Sequence, residues 1–463
     1  LPGGYGADTA REVVATICER GLVDFIDMDV GLEPQQFHYG MPTGFTAPHV
    51  YRPFVEAVRG AATVPVLSVL GRMTSMADAE AMIAAGVCDM AGATRQLIAE
   101  PEFVQNARHG REERSRTCVA CNWCMAAQGD NAQGCTINPA SYRERLWGVA
   151  TIAPAAQASR VVIVGGGPGG LEAARISALK GHDVTLIEGR ERLGGALALW
   201  ADLPGRDIWH KAIDWWAAEL ARLGVDVRLG QSADAASILA ECPDAVIVAT
   251  GARYTVGGRS ITFDADIPGH DRPFVYRPED ILLGGARPSG KVILLDAEGI
   301  NTSAGIAEIL GNAGAQVSYV TEGFSPLSPR VTDSFEGRFL MQRMKAAGVR
   351  FIPSSWARSI GEGTVTLYDL HTGEERTEAA DAVVLACGRV PHDEISRDLA
   401  GEVAQLFVIG DAMGVRPLAA ASYEGQRFAR LIGEPGAPAT ISESFFRPDD
   451  PVVNPLPADM ARR

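Results

Sequence analysis

Residues Arg160–Glu188 read RVVIVGGGPGGLEAARISALKGHDVTLIE, and the order of parts in this stretch decides the fold. An apolar run enters the turn Gly165-x-Gly167-x-x-Gly170, a helical pattern follows, and a second apolar run ends at Glu188, 23 positions after Gly165. Glycines at those places allow a tight turn and the approach of a pyrophosphate to a helix N-terminus. The acid is placed to accept a hydrogen bond from a ribose 2′-hydroxyl. The glycine spacing alone is a weak signal; with strand, helix and acid around it, it predicts a dinucleotide-binding α/β unit.

Downstream, Ala245–Thr250 (AVIVAT), Ala382–Ala386 (AVVLA) and Leu406–Gly410 (LFVIG) read as further strands. Another strand–turn–helix unit opens at Lys291 (KVILLDAEGINTSAGIAEIL), which predicts a second nucleotide-type domain inserted into the first. Where a Gly-rich turn would follow its strand, the sequence has Asp296-Ala-Glu298-Gly-Ile-Asn-Thr-Ser303. Two acids there disfavour a pyrophosphate, so tight NADH or NADPH binding is not expected unless nicotinamide is held in some other way. Asp411, after Val408-Ile409-Gly410, is a candidate acceptor for the ribityl chain of a flavin, or an ordinary strand-end residue.

Upstream, Asp24–Gly31 (DFIDMDVG), Val64–Gly71 (VPVLSVLG) and Cys88–Thr94 (CDMAGAT) read as strands between helical patterns at Thr9–Gly21, Tyr51–Gly60 and Ser75–Gly86. Such units predict a parallel sheet with helices outside, although three of them cannot close a barrel. Period-two alternation puts Asp27 and Asp29 with Phe25 and Gly31 on one face and Ile26, Met28 and Val30 on the other. The acids should therefore point away from the helices, into a barrel near its C-terminal mouth, where active sites lie. The loop after Gly31 carries His38, Tyr39, His49 and Tyr51 and is long enough to suspect function, although each histidine alone reads as a packing or surface residue. Gly71-Arg72 and Thr94-Arg95 end the second and third strands, where such barrels hold a cofactor phosphate; plain solvated arginines are the alternative.

Four of the eight cysteines crowd into Cys118-x2-Cys121-x2-Cys124 and, after ten intervening residues, Cys135. Three thiolates in one tight loop and a fourth nearby suit an iron–sulfur cluster, and four thiolates would also suit zinc. Cys18, Cys88, Cys242 and Cys387 lie scattered in apolar contexts, a distribution expected of cytosolic metal chemistry and core thiols rather than a disulfide framework.

The chain has 463 residues and a net charge of −15, which at roughly 150 residues per domain predicts about three domains. That charge and the lack of a basic run exclude a phosphate backbone as a natural partner. The longest apolar runs, such as Asp244–Ala252, fall short of the roughly 18 residues that would span a bilayer, so a soluble, cytoplasmic protein is expected. Leu1 is the first residue and no basic region precedes an apolar stretch; no secretory signal is expected, and the chain reads as trimmed or as a fragment. The Pro-rich stretch after Ile432 is expected to be an extended arm.

The run from Cys88 to Cys135, followed by the Gly165 turn, resembles the multidomain branch of the old yellow enzyme family. That branch includes trimethylamine, histamine and dimethylamine dehydrogenases, dimethylglycine-type demethylases and 2,4-dienoyl-CoA reductase. The resemblance covers essentially the whole chain, which matches the C-terminal two thirds of such proteins. It implies an α/β fold made of the C-terminal part of a (β/α)8 barrel, a Cys-rich iron–sulfur segment and a glutathione-reductase-like pair of Rossmann-type domains. Residues 1–115 would be the last strands of an FMN-binding barrel and 116–158 a [4Fe-4S] segment and linker. Residues 159–275 and 394–440 would bind FAD or ADP, with 276–393 the inserted domain and 441–463 a tail.

By this resemblance Gly71, Arg72, Thr94 and Arg95 match FMN-phosphate contacts, and Cys118, Cys121, Cys124 and Cys135 match cluster ligands. Gly165, Gly167, Gly170 and Glu188 match the adenosine site. The gap between Cys121 and Cys124, the stretch Ala249–Gly269 and the altered Asp296 loop look like the amine dehydrogenases rather than the dienoyl-CoA reductases. Ile26 and Gln128 stand where trimethylamine dehydrogenase has cage tryptophans, which speaks against a cation–π cage. The first five barrel strands would have to be trimmed, unobserved or supplied by another chain.

The expected function is oxidation, with N-demethylation, of an N-methylated amine, amino acid or betaine through FMN. Electrons would leave through the cluster to an electron-transfer flavoprotein or similar acceptor, and Asp27 and Asp29 are the candidates for substrate orientation or proton handling. Two alternatives are an NAD(P)H-dependent enoate or enoyl-thioester reductase and a non-catalytic electron-transfer subunit of a homo- or hetero-oligomer.

Overall fold

The computed structural model describes residues 4–31, 37–126 and 134–441, which fall into two compact units. The first comprises Leu1–Ala126 together with Ser334–Glu336, and the second comprises the rest.

In the first unit three short strands, Ile26–Met28, Val66–Ser68 and Met90–Ala91, form a parallel sheet in sequence order. Parallel strands need crossover helices, and Arg52–Arg59 and Met76–Ala84 supply them, preceded by Ala7–Glu19. Ser75 starts the helix Met76–Ala84 by accepting the amide of Asp78 at 3.2 Å. Met28 and Val66 pack with Val14, Val55 and Val58, so the apolar face of the first strand meets the helices. Phe25, Asp27 and Asp29 are exposed on the other face, as the alternation predicts.

Strand ends are shorter than expected. Ser68 Oγ donates to Met28 O at 3.1 Å and accepts the Leu70 amide at 3.2 Å, which closes the second strand two residues before Leu70. Gly71 and Arg72 then occupy left-handed backbone (φ 73° and 59°), and Thr94 and Arg95 open the helix Thr94–Ala99. Neither pair ends a strand, which corrects the sequence expectation.

In the second unit the strands read as continuous apolar runs because both faces of a parallel sheet are covered. Six strands form one parallel sheet in the order Thr440–Ile441, Gln405–Val408, Ala245–Val248, Arg160–Val164, Asp183–Ile187, Asp226–Arg228. The helix Pro168–Leu179 crosses from the central strand and is buried from Pro168 to Ser177, between the sheet and the helices His210–Leu223 and Leu418–Ala429. Five further strands, ordered Arg350–Ile352, Gln316–Thr321, Lys291–Asp296, Ala382–Ala386, Val275–Tyr276, make a second parallel sheet. The meander Ser355–Ile360, Thr364–Asp369, Glu375–Ala379 packs against it through Trp356, Ile360, Val365 and Leu367. Where the chain leaves the first sheet for the second and comes back, Ala252–Tyr254 pairs antiparallel with Arg389–Pro391. The stretch after Ile432 is not simply an arm: Thr440–Ile441 adds an edge strand beside Leu406–Phe407, and residues 442–463 lie outside the described residues.

Candidate functional site

In the first unit, Asp29 accepts its neighbour's amide (Val30 N to Oδ1, 2.7 Å), and its carboxyl is pushed up, mainly by desolvation and further by Asp27. Tyr51 is buried, donates its hydroxyl to Tyr39 O, and has its phenol pushed up by burial and by the nearby Asp29. His49 sits in left-handed backbone with Nε2 3.7 Å from Asp78 Oδ2, while the side chains of His38 and Gln128 lie outside the described residues.

The two arginines converge on one loop. Arg72 Nη1 donates to Gly44 O at 3.3 Å and to Thr46 O, and Arg95 Nη1 donates to Pro42 O at 2.8 Å and to Asn122 Oδ1. Thr94 is exposed at the start of its helix. Two guanidinium groups and the Gly71 turn fit a phosphate in charge.

Asn122 belongs to the cysteine loop. Residues Ala120 and Asn122, on either side of Cys121, are both left-handed (φ 52° and 56°). Cys124 is buried and its thiol is pushed up to about 11 by desolvation and by the neighbouring Cys118, so these two sulfurs lie within electrostatic reach. Cys121 and Cys135 are half-buried, and Cys135 belongs to the second unit. Thiols as donors fit a sulfur-bound metal centre in kind. Among the described residues, however, no three His, Cys, Asp or Glu side chains gather in a metal-holding arrangement.

In the second unit the glycine turn is tightly built. A Cβ at Gly170 would lie 1.9 Å from Gly165 O, and one at Gly165, whose φ is 110°, would lie 2.3 Å from Ala249 O. At Gly167 the nearest atom is Gly195 Cα at 4.0 Å, so the backbone that opens the helix Pro168–Leu179 faces free space. That cradle fits a diphosphate. Glu188 is buried and accepts the amides of Gly166 at 2.6 Å and Arg190 at 2.8 Å, which fixes the acid beside the turn.

The turn at Asp411 is equally preformed. Gly410 is left-handed (φ 62°), and its amide donates to the buried Glu424 at 2.7 Å. Arg416 donates from Nη2 to Glu424 at 2.9 Å and to Gly410 O at 3.0 Å, and its own amide donates to Asp411 at 3.1 Å. The other Asp411 oxygen accepts from Arg389 Nη1 at 3.1 Å, and Arg389 Nε donates to Glu298 at 2.7 Å.

Of the two acids in the altered loop, Asp296 is fully buried and accepts from Gly299 N at 2.8 Å, Ser303 Oγ at 2.6 Å and Tyr319 OH at 2.8 Å. Desolvation pushes its carboxyl up to about 7 despite those bonds. Glu298 is taken by Arg389 and by the hydroxyl of Tyr254 at 2.8 Å. The amide of Gly299 thus meets a carboxylate of the chain itself.

Residues 163–219 match the model of the NAD(P)-binding Rossmann-like domain and residues 299–422 that of the pyridine nucleotide-disulphide oxidoreductases. The chain is 31% identical over 469 residues to a "Probable N-methylproline demethylase" of Rhizobium meliloti, covering 93% of this chain and 67% of that one. The chain belongs to the old-yellow-enzyme-like flavoproteins. It is 32% identical to a bilirubin reductase of Mediterraneibacter gnavus, over 88% of this chain and 61% of the relative. Among solved structures it resembles the 6-hydroxypseudooxynicotine amine oxidase of Pseudomonas geniculata, with 31% identity, TM-score 0.84, and coverage of 91% of this chain and 64% of that one. The chain thus spans 61% to 67% of the length of these old-yellow-enzyme-like relatives.

Sequence reasoning about this old-yellow-enzyme-like chain missed Asn122, Arg389, Arg416 and Glu424. A signal existed for one of them: an asparagine inside a cysteine loop suits left-handed backbone. The Gly194-Gly195 pair after Glu188 was equally readable; both are left-handed (φ 106° and 53°), and Gly194 N donates to Gly166 O at 2.8 Å.

Proposed function

We propose that the chain is the greater part of a flavoprotein dehydrogenase that oxidises, and so N-demethylates, an N-methylated amine, amino acid or betaine. In this reading residues 1–115 contribute the last strands of an FMN barrel. Gly71, Arg72, Thr94 and Arg95 hold the FMN phosphate, and Cys118, Cys121, Cys124 and Cys135 hold a [4Fe-4S] cluster. Gly165, Gly167, Gly170 and Glu188 hold the adenosine diphosphate part of FAD or ADP, with Asp411 on a ribityl chain if FAD is bound. FMN would accept two electrons from the N-methyl carbon, and the cluster would pass them on singly to an electron-transfer flavoprotein or similar acceptor. Asp27 and Asp29 orient the substrate cation or hold its proton, a task that the raised carboxyl of Asp29 supports. Retained turnover in a barrel-complete enzyme carrying Asp27→Asn and Asp29→Asn would sink that assignment. Further barrel strands, or a second chain, would complete the site. The spread of the cysteines, four clustered and four scattered along a long chain, supports a reducing, cytoplasmic setting, and no described helix is long and apolar enough to cross a membrane.

The observation that carries this reading is the Asp296 turn. An amide that a nicotinamide dinucleotide would need for its diphosphate is occupied by an internal carboxylate, which supports electron entry from an amine rather than from NAD(P)H. Relatives are named N,N-dimethylglycine/sarcosine dehydrogenase and dimethylamine dehydrogenase. The test is anaerobic mixing of the barrel-complete protein with NADH, then NADPH, then N-methylated amines, following flavin absorbance. Bleaching only by an amine supports the reading, and rapid bleaching by NADH or NADPH sinks it.

One observation favours a second reading, reduction of an enoate or enoyl thioester by NAD(P)H. Glu322 follows the strand Gln316–Thr321, where a ribose-binding acid would stand, and its Oε2 is buried with no hydrogen-bond partner among the described residues.

A further inference from the structure

The cradle at Gly167 is made of backbone. A helix N-terminus offers a diphosphate its amides and the equivalent of about half a positive charge. A diphosphate carries more negative charge than that, and the buried acid Glu188 stands beside the turn, 2.6 Å from the Gly166 amide. A diphosphate held there calls for a cation close to the glycines.

The turn Gly194-Gly195 forms a second wall of the cradle. A Cβ on Gly195 would lie 2.9 Å from Gly167 Cα, and the Gly194 amide donates to Gly166 O at 2.8 Å, so the two glycine turns are in direct contact. Arg190 reaches this wall. Its backbone is pinned at both polar groups: the amide donates to Glu188 Oε1 at 2.8 Å, and the carbonyl accepts from Gly230 N at 2.9 Å. Its side chain crosses to Gly195, where Nη1 donates to the carbonyl at 3.0 Å.

That single bond leaves most donors of the guanidinium unused. Among the described residues Arg190 pairs with no acid, whereas nearby arginines do: Arg192 pairs with Asp202, and Arg228, on the neighbouring strand, pairs with Asp226 and Glu241. A half-buried cation without a counter-ion in the chain suits an anionic ligand.

We infer that Arg190 is a binding residue for the diphosphate of an adenosine diphosphate group, whether ADP itself or part of FAD, and supplies the positive charge that the glycine turn lacks. The inference rests on the adenosine-site assignment proposed above. The carbonyl of Gly195 anchors one end of the guanidinium at the cradle wall, and its other N–H groups are the ones that phosphate oxygens take, in the forked geometry that suits them.

The test titrates ADP and FAD separately, by calorimetry, into barrel-complete protein freed of bound nucleotide, as wild type, Arg190→Gln and Arg190→Lys. Glutamine keeps a donor and removes the charge, and lysine keeps the charge. The nucleotide that wild type binds more tightly identifies the source of the diphosphate. For that nucleotide Arg190→Gln is expected to weaken binding at least about tenfold, and Arg190→Lys to stay within about threefold of wild type. Affinity within about threefold of wild type in Arg190→Gln overturns the inference. So does an equal loss in both variants, which would mark the bond to Gly195 as structural. A wild type that binds neither ADP nor FAD overturns the adenosine-site assignment and this inference with it.

Discussion

The hydroxyl of Tyr319 donates to the carboxylate of Asp296 at 2.8 Å from the adjacent parallel strand, with both groups fully buried. A carboxyl at about 7 in the folded chain and near its ordinary 3.8 in the unfolded chain holds its proton more tightly when folded. The stability that it contributes is complete below about pH 4 and is lost as pH rises through about 7. The full swing is at most about 4 kcal/mol by 1.4 kcal/mol per pH unit. Asp296→Asn can keep its oxygen as the acceptor for Gly299 and Tyr319 and turn its NH2 toward the hydroxyl oxygen of Ser303, so thermal melts at pH 5 and pH 8 should differ by less in the variant than in the wild type. Equal slopes for the two would show that Asp296 is ionised throughout.

The glycine turn separates packing from binding. Gly170→Ala places a methyl 1.9 Å from Gly165 O and should destabilise the second unit by about 3 kcal/mol or more. Gly167→Ala meets nothing nearer than 4.0 Å at an ordinary φ of −77°, so its melt should stay within about 0.5 kcal/mol of wild type. Adenosine diphosphate binding should nevertheless fall at least tenfold in Gly167→Ala, as calorimetry would show, because the methyl occupies the cradle.

Arg416 neutralises Glu424, whose carboxyl burial pushes up. Arg416→Ala leaves the acid with the Gly410 amide and should cost about 3 kcal/mol in chemical denaturation, the lower end for a broken buried pair. Adding Glu424→Gln should restore most of that loss, since the uncompensated charge goes with it. A double variant no better than the single one would assign the loss to packing.

Serine at Cys118, Cys121, Cys124 or Cys135 should each lower bound iron after anaerobic reconstitution, whereas Cys88→Ser and Cys242→Ser should leave it unchanged. Iron retained in all four single variants would remove these residues as ligands.

Much of the fold was legible because periodicity and punctuation are local. The strand–turn–helix at Gly165, the unit at Lys291 and the alternation around Asp27 and Asp29 all emerge where the sequence places them. Strand ends were less legible: Ser68 and the left-handed turn at Gly71 stop the second strand through contacts that no propensity encodes. In the candidate site, the acids at 296 and 298 were readable as hostile to a phosphate. Their partners Tyr319, Tyr254 and Arg389 were not, since they come from distant strands. Arg72 and Arg95 were readable as cations, but the carbonyls of residues 42–46 that receive them lie some 26 to 53 positions away in sequence.

The short ribbon in which Tyr254 stands opposite Arg389 places the points of departure and return of the inserted domain side by side. Everything between them is, topologically, a loop whose ends already touch, so closing the chain across that gap calls for only a few residues. Such a joint makes the domain a cassette: a different module with similarly spaced ends can be spliced in at the ribbon while the six-stranded sheet keeps its strand order. Exchange of the inserted domain in chains of this design then requires no redesign of the sheet that carries the glycine turn.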